Sequence, residues 1–375
     1  MYKIIAVDDE ALALKRFEHI IGKEKRVRLL GSYTKPEEAL EFIKNNVVDI
    51  AFLDIEMPGL SGLELAERIQ EIDPYVSVVF ITAFDQYALE AFKAHAVGYL
   101  LKPLDINDFS QQIDTLERSK QPRNASEAKK ADAETDTSAA PLSVYCLGQF
   151  NCFLSSKPDT PISFRTAKTA ELFALLIHHH KSPITKYHIL DSLFPDMDYE
   201  KSNKLFYVSC SYLRSAFAHE DITNILLREN DSYRINTKLI DCDYIKFMEY
   251  SDRLNDLTIN ELLEAVSLYN GEYLMGRSYE WSFESKPYID TLYQRIQFTL
   301  VDKLCSDGRR DEAYQTLNKY LTTSPLNEDV VSKLMTMYIQ DNHKDMALQL
   351  YHNYETKLAE QLDTTPSAAL KDIIR

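Results

Sequence analysis

The stretch "AFLDIEMPGLSG", residues 51–62, ends an apolar run in an acid, Asp54, and follows it with Pro58, Gly59 and Gly62. A short apolar run closed by turn residues reads as a buried strand and its exit loop. A single acid in that position is most often a turn or helix-capping residue. Its meaning therefore depends on what the rest of the chain brings beside it. The runs "KIIAV", "VRLLGSY", "VSVVFIT" and "GYLL" are of the same kind, and over residues 3–118 each is followed by a helix-length amphipathic segment. This alternation predicts a five-stranded parallel sheet covered on both faces, with any ligand held at the carboxyl ends of the strands.

At those ends stand Asp8 and Asp9, Asp54, Thr82, and Lys102 followed by Pro103. Three carboxylates gathered at one sheet edge repel one another and need a cation. Magnesium, a hard ion that takes a few carboxylates together with water and phosphate oxygens, suits the set. Lys102 then attracts phosphoryl oxygens, Thr82 can donate a hydrogen bond to one, and Asp54 is the nucleophile of a phosphoryl transfer. The Lys102-Pro103 bond is of the type that can be cis.

With "VDDE", "LDIEMPG", "ITAFD" and "YLLKPLD" in these places, residues 1–118 resemble the flavodoxin-like receiver domain of two-component response regulators. The resemblance implies that a sensor histidine kinase phosphorylates Asp54, and that Asp9, Asp54 and the main-chain carbonyl of Glu56 hold Mg2+, with Asp8 assisting through water. It also implies that Thr82 shifts towards the phosphoryl group and that Tyr99 is a switch residue changing rotamer beside the fifth strand. Such a receiver assists only its own phosphorylation and dephosphorylation and is not otherwise an enzyme. "AFDQYALEAFKAHAVGYLLKPLD" is similar to receivers that usually carry LytTR output domains. Haloacid dehalogenase phosphatases also use a strand-end aspartate with a second acid two positions on, where Glu56 stands; the acid pair on another strand and the Lys-Pro step fit the receiver better.

The chain has 375 residues, enough for two or three domains, and its 45% hydrophobic and 27% charged residues are ordinary for a globular protein. Five scattered cysteines without a Cys-x-x-Cys pair argue against a disulfide framework or a zinc site. No run approaches membrane-spanning length, so the expected location is the cytoplasm, with no membrane partner. Residues 119–141, "SKQPRNASEAKKADAETDTSAAP", bury little apolar surface and read as a flexible linker.

Net charge is −16, but the acids concentrate at the two ends and residues 142–238 are the least acidic part, which matters because phosphate binding needs local positive potential. Here "LSVYCLG", "FNCFLSS" and "ISF" read as strands, three helices begin near Ala167, Thr185 and Glu200, and "ILLRENDSYRIN" reads as a hairpin. Three helices with a hairpin are the composition of a winged helix-turn-helix. On the third helix Phe206, Cys210, Leu213 and Phe217 make one apolar face. The opposite side carries Lys201, Lys204, Val208 and Ser211 beside Tyr212. "FYVSCSYLR" is similar to the recognition helix of OmpR-type winged helices, which implies that Lys204, Tyr207, Val208 and Tyr212 face bases of double-stranded DNA and that Arg214 holds its backbone. The histidine run His178–His180 reads as a solvated helix end, not a metal site.

Residues 239–375 turn wholly helical and contain a repeat: Asp307, Asp311, Ala313, Gln315 and Tyr320 recur 34 residues on as Asp341, Asp345, Ala347, Gln349 and Tyr354. That period predicts an all-α, tetratricopeptide-like stack. "SLYNGEYLMGRSYEW" and "SPLNEDVVSKLMTMYIQDNHKDMALQLYHNYETKLAEQLDTTPSAAL" resemble the bacterial transcriptional activator domain of SARP-type regulators. The expectation is a multidomain response regulator controlling transcription by sequence-specific DNA binding, homodimeric when phosphorylated, with RNA polymerase a further partner. The competing expectation is a phosphorylation-dependent adaptor whose repeats bind protein and whose third helix binds no specific DNA.

Overall fold

The apolar runs become strands. In the computed structural model, β1 (Tyr2–Val7), β2 (Val27–Tyr33), β3 (Ile50–Asp54), β4 (Ser77–Thr82) and β5 (Gly98–Leu101) form one sheet in the order β2-β1-β3-β4-β5, every pairing parallel. The structure describes residues 1–73, 75–82, 98–119, 140–218, 220 and 222–374, so the expected linker falls outside the described residues except at its ends. The described chain divides into two compact units, Met1–Val144 with Asn151–Asp241, and Tyr145–Phe150 with Cys242–Arg375.

Strand alternation decides which residues of this sheet face which layer. Ile4 and Ala6 of β1, Ile50 and Phe52 of β3, and Val79 and Ile81 of β4 join one core with Leu14, Phe17 and Ile21 of α1 (Ala11–Ile21) and with Phe109, Ile113 and Leu116 of α4 (Ile106–Ser119). Phe52 anchors it, its ring 5.1 Å from Phe17 and 5.2 Å from Phe109. The alternate residues Ile5, Ala51 and Leu53 are equally buried, as expected of strands covered on both faces. α2 (Pro36–Asn45) and α3 (Gly62–Ile72) pack on each other and α3 on β3. Ser61 caps α3, its hydroxyl accepting from the Glu64 amide at 3.3 Å.

The remainder of the first unit contains the sheet β12-β6-β7-β8, built from β6 (Leu142–Tyr145), β7 (Asn151–Leu154), β8 (Lys157–Pro161) and β12 (Ile240–Cys242). The third expected strand, "ISF", is displaced: β8 is "KPDTP", exposed throughout. Leu154 pairs with Lys157 across a two-residue turn, so chain proximity sets the pairing. An edge strand that carries prolines and faces solvent has no apolar alternation to announce it. Then follow α5 (Ala167–His178), α6 (Lys186–Leu193) and α7 (Tyr199–Ala218), with a small sheet of β9 (Ile184–Thr185), β10 (Leu226–Glu229) and β11 (Ser232–Ile235) in the order β10-β11-β9. Thr166 and Thr185 cap α5 and α6. The apolar face of α7 is buried as expected, Phe217 against Phe173 and Phe206 edge-on to Tyr233.

The second unit starts with α8 (Asp243–Asp252) and α9 (Ile259–Leu268). It continues through α10 (Ser285–Ser306), α11 (Arg310–Thr323), α12 (Glu328–Gln340) and α13 (Lys344–Leu362) to the short α14 (Ala368–Asp372). Asp243 is buried, and its carboxylate accepts from the amides of Cys146, Leu147 and Tyr244 at 2.7, 3.0 and 2.6 Å, tying residues 145–150 to α8. The sequence repeat has a structural counterpart. The turns after α10 and α12 use left-handed residues at matching positions, Gly308 (φ +80°) and Asn342 (φ +58°). In each turn the residue after it donates back into the preceding helix at 2.8 Å, Arg309 to Leu304 and His343 to Tyr338. Ala313 and Ala347, matched in the repeat on the second helix of each packed pair, are both fully buried.

Candidate functional site

The parallel sheet brings the strand-end residues together as its topology requires. Asp8 follows β1, Asp54 closes β3 and Lys102 follows β5. Lys102 Nζ lies 2.7 Å from Asp8 Oδ2 and 3.0 Å from Asp54 Oδ2. Asp8, Asp9 and Asp54 each offer an oxygen within 4.8 Å of the others. Asp8 and Asp54 are 6% and 7% exposed, whereas Asp9 and Glu56 are open to solvent. The Lys102-Pro103 peptide is cis. Thr82 and Tyr99 lie in β4 and β5, but their side chains fall outside the described residues.

The electrostatics follow from burial. Desolvation pushes the Asp54 carboxyl above its usual range; the hydrogen bond and charge of Lys102 oppose this, and the charge of Asp8 adds to it. For Lys102 burial acts downward, yet the hydrogen bonds and charges of Asp8 and Asp54 prevail and hold its ammonium above its usual value. Two buried carboxylates share one lysine while a third waits at the surface. The set is thus short of positive charge and rich in hard oxygens, and it fits a small divalent cation.

The exit loop explains the glycines of the opening stretch. Gly59 sits at φ +82°, a left-handed position that glycine adopts freely. Gly62 starts α3 with its amide on the Ile55 carbonyl at 3.0 Å, and a Cβ there would come within 1.8 Å of the Asp54 carbonyl oxygen. α3 therefore begins against the main chain of Asp54.

The other candidate residues, on α7, are placed differently from expectation. Lys201 is exposed and Lys204 and Ser211 are partly buried, but Tyr207, Val208 and Tyr212 are buried and so do not lie on an open face. The Tyr207 hydroxyl accepts from Lys186 Nζ at 3.3 Å, and the Arg165 guanidinium lies 5.0 Å from the Tyr212 ring centre. Arg214 is taken up by α3: its Nη1 donates to Glu67 Oε1 at 3.1 Å. The reason is that α3 packs along this side of α7. Burial, with the charges of Glu64 and Glu67, pushes the Tyr207 phenol upward. Sequence reasoning passed over Glu67, because an acid on an amphipathic helix reads as a solvated face.

Residues 4–114 match the family model described as the response regulator receiver domain, and residues 250–375 match that of the bacterial transcriptional activator domain. Over 116 residues the chain is 42% identical to the positive alginate biosynthesis regulatory protein of Pseudomonas aeruginosa, covering 31% of this chain and 47% of that protein. Over 121 residues it is 37% identical to the sensory transduction protein LytT of Bacillus anthracis, covering 32% of this chain and 49% of that one. Among solved structures it is similar to the response regulator protein TrrA of Thermotoga maritima in complex with Mg2+ and BeF, at 28% identity and a TM-score of 0.29, covering 31% of this chain and 99% of that one. The chain spans about half the length of the curated relatives it matches. It joins a response-regulator receiver domain at its N-terminal end to a bacterial transcriptional activator domain at its C-terminal end.

Proposed function

We propose that the chain is the regulator of a two-component phosphorelay, phosphorylated on Asp54 by a sensor histidine kinase and controlling transcription by sequence-specific DNA binding. The observation that carries the first half is the convergence of Asp8, Asp9, Asp54 and Lys102 at the carboxyl edge of the sheet. In the transfer, an Asp54 oxygen attacks phosphorus as the phosphorus–nitrogen bond of the phosphohistidine breaks and the leaving imidazole takes a proton. Lys102 is positioned to leave its carboxylate partners for the incoming phosphoryl oxygens. Mg2+, held by Asp9, Asp54 and the Glu56 carbonyl with Asp8 behind a water, would supply charge neutralisation at those oxygens. Thr82 and Tyr99 are assigned the switch roles that the receiver resemblance implies. The chain is otherwise not an enzyme, and its place is the cytoplasm; among the described residues no helix is long and apolar enough to cross a membrane.

For the second half, we assign residues 142–238 as a winged helix-turn-helix with α7 as its recognition helix and the β10–β11 hairpin as its wing, and the C-terminal repeats as tetratricopeptide-like. The order of three helices and a hairpin, with the apolar Phe206–Cys210–Leu213–Phe217 face of α7 buried, supports this reading. Dimerisation on phosphorylation and contact with RNA polymerase complete it. The covering of α7 by α3 favours one rival, an adaptor that never exposes α7. Both halves are tested by treating wild type and Asp54→Asn with acetyl phosphate and Mg2+, then selecting from a random duplex DNA pool. The expected result is labelling of wild type alone and an enriched DNA sequence from the labelled chain; labelling of Asp54→Asn, or enrichment by neither protein, sinks the corresponding half.

A further inference from the structure

Glu64, Glu67 and Glu71 fall at i, i+3 and i+7 of α3, one face of that helix. All three meet arginines of the segment that the proposal above assigns to DNA. Glu67, 3% exposed, accepts from Arg214 Nη1 at 3.1 Å and from the Tyr233 hydroxyl at 3.4 Å. Glu71 lies 3.7 Å from Arg214 Nη2, and Glu64 lies 3.9 Å from Arg228 Nη2. Arg214 is on α7 and Arg228 is on β10, the two elements that would straddle a groove and reach the phosphates beside it. The spacing of acids along α3 thus sets anionic oxygens against the basic groups that a phosphate backbone would otherwise engage.

The contact is strong in charge and loose in packing. Burial raises the Glu67 carboxyl and the charge of Arg214 opposes it, so the carboxylate is held in its ionised form by the guanidinium beside it. Beside the pair lies a cleft of about 210 Å³, lined by Gln70, Glu71, Arg214, Ser215, Ile225 and Arg228 among others. Gln70 Oε1 and Arg214 Nη2, both buried there, lack a hydrogen-bond partner.

α3 is also the element tied most directly to Asp54. The loop from Ile55 to Ser61 separates them, and Gly62 abuts the Asp54 carbonyl so closely that no side chain fits between. A change in the Asp54 main chain is therefore passed to the first turn of α3 without an intervening soft contact.

We infer that the Glu64–Glu67–Glu71 face of α3 is an internal stand-in for the DNA backbone, occupying Arg214 and Arg228 until phosphorylation of Asp54 displaces α3. The inference rests on the DNA-binding reading. It adds which surface is blocked, by which groups, and through which helix release is transmitted. Closed and DNA-bound chains then compete for the same guanidinium groups, so the closed fraction lowers the apparent DNA affinity of the unphosphorylated chain.

The test uses the full chain as wild type and as Glu64→Gln/Glu67→Gln/Glu71→Gln, with acetyl phosphate and Mg2+ as the phosphodonor. Acetyl-phosphate labelling of Asp54 in the triple variant verifies that its receiver is folded, since none of the three acids lies at the phosphoacceptor. Expected is faster amide hydrogen exchange in α3 and α7 of wild type on labelling, a measurement that needs no substitution. Duplex DNA, selected beforehand on labelled wild type, should bind the unlabelled triple variant about tenfold more tightly than unlabelled wild type. DNA binding that responds to labelling in wild type but is unchanged in the triple variant overturns the inference alone. Binding by no form, labelled wild type included, overturns the DNA reading and the inference with it. Unchanged exchange in α3 and α7 on labelling overturns the coupling to Asp54.

Discussion

At the scale of single residues, charge and close approach dominate. Lys102 is the shared cation of two buried carboxylates, so Lys102→Ala should lower the rate of Asp54 labelling by acetyl phosphate by roughly 10²-fold, the order of loss seen when one preorganised charge partner is removed. Gly62 is sterically bound to Asp54: Gly62→Ala should destabilise the receiver by about 3 kcal/mol or more, read as a fall in urea midpoint. Asp243 makes a pH prediction. Burial raises its carboxyl to about 6 despite three amide hydrogen bonds, well above an unfolded aspartate. The folded state thus binds the extra proton first, so this group's contribution to stability grows as pH falls from about 7 to 5 and is lost as pH rises through its folded pKa. In thermal melts, wild type should gain relative to Asp243→Asn on that acidification; a difference independent of pH would refute the assignment. Asp8, Asp9, Asp54 and Lys102 were legible in the sequence because each closes a recognisable strand of a parallel sheet, and topology then gathers them. Glu67 was not legible: its partner Arg214 lies 147 residues away, and nothing local announces that a third segment will cover it.

At the scale of elements, the inner strands β1, β3 and β4 of the receiver were legible because both their faces are buried and their apolar runs are unbroken. β8 was not, because a solvent-facing edge strand is written in polar residues and placed by its turn. The helical repeat was legible from its period, in which the small residues Ala313 and Ala347 recur at buried positions. Ala313 and Ala347 have no accessible surface, so Ala347→Leu forces α12 and α13 apart and should cost about 1–3 kcal/mol by denaturant unfolding. Met346→Leu, at the exposed neighbouring position, should be near neutral. Equal effects at the two positions would show that the Ala347 site is not tightly packed. The face of α7 was only half legible: its periodicity identified the buried stripe correctly, but periodicity says nothing about whether the other side meets solvent or another helix.

At the scale of the whole molecule, net charge of −16 and DNA binding are compatible only if the acids lie away from the basic surface or are moved from it. If Arg214 and Arg228 each reach a phosphate in the open form, log affinity of the labelled chain should fall with log salt at a slope of about −2 or steeper. A flat response would mean that neither arginine meets the backbone. Titration by fluorescence anisotropy on the full chain measures it. The full chain is required because Tyr145–Phe150 belongs to the second compact unit although it precedes most of the first unit's DNA-assigned segment.

That threading has a consequence for biosynthesis. Residues 145–150 leave the ribosome well before Asp243, which binds the amides of Cys146 and Leu147, and before Tyr273, which bridges to Leu147. Until the C-terminal helices emerge, Leu147 and Phe150, otherwise almost fully buried, have no cover of their own. A message truncated near Asp241 therefore yields a product with a bare apolar segment, a substrate for chaperones and proteases. Nor can recombination move the C-terminal unit as one contiguous cassette: cut anywhere after Phe150, it leaves its first segment behind.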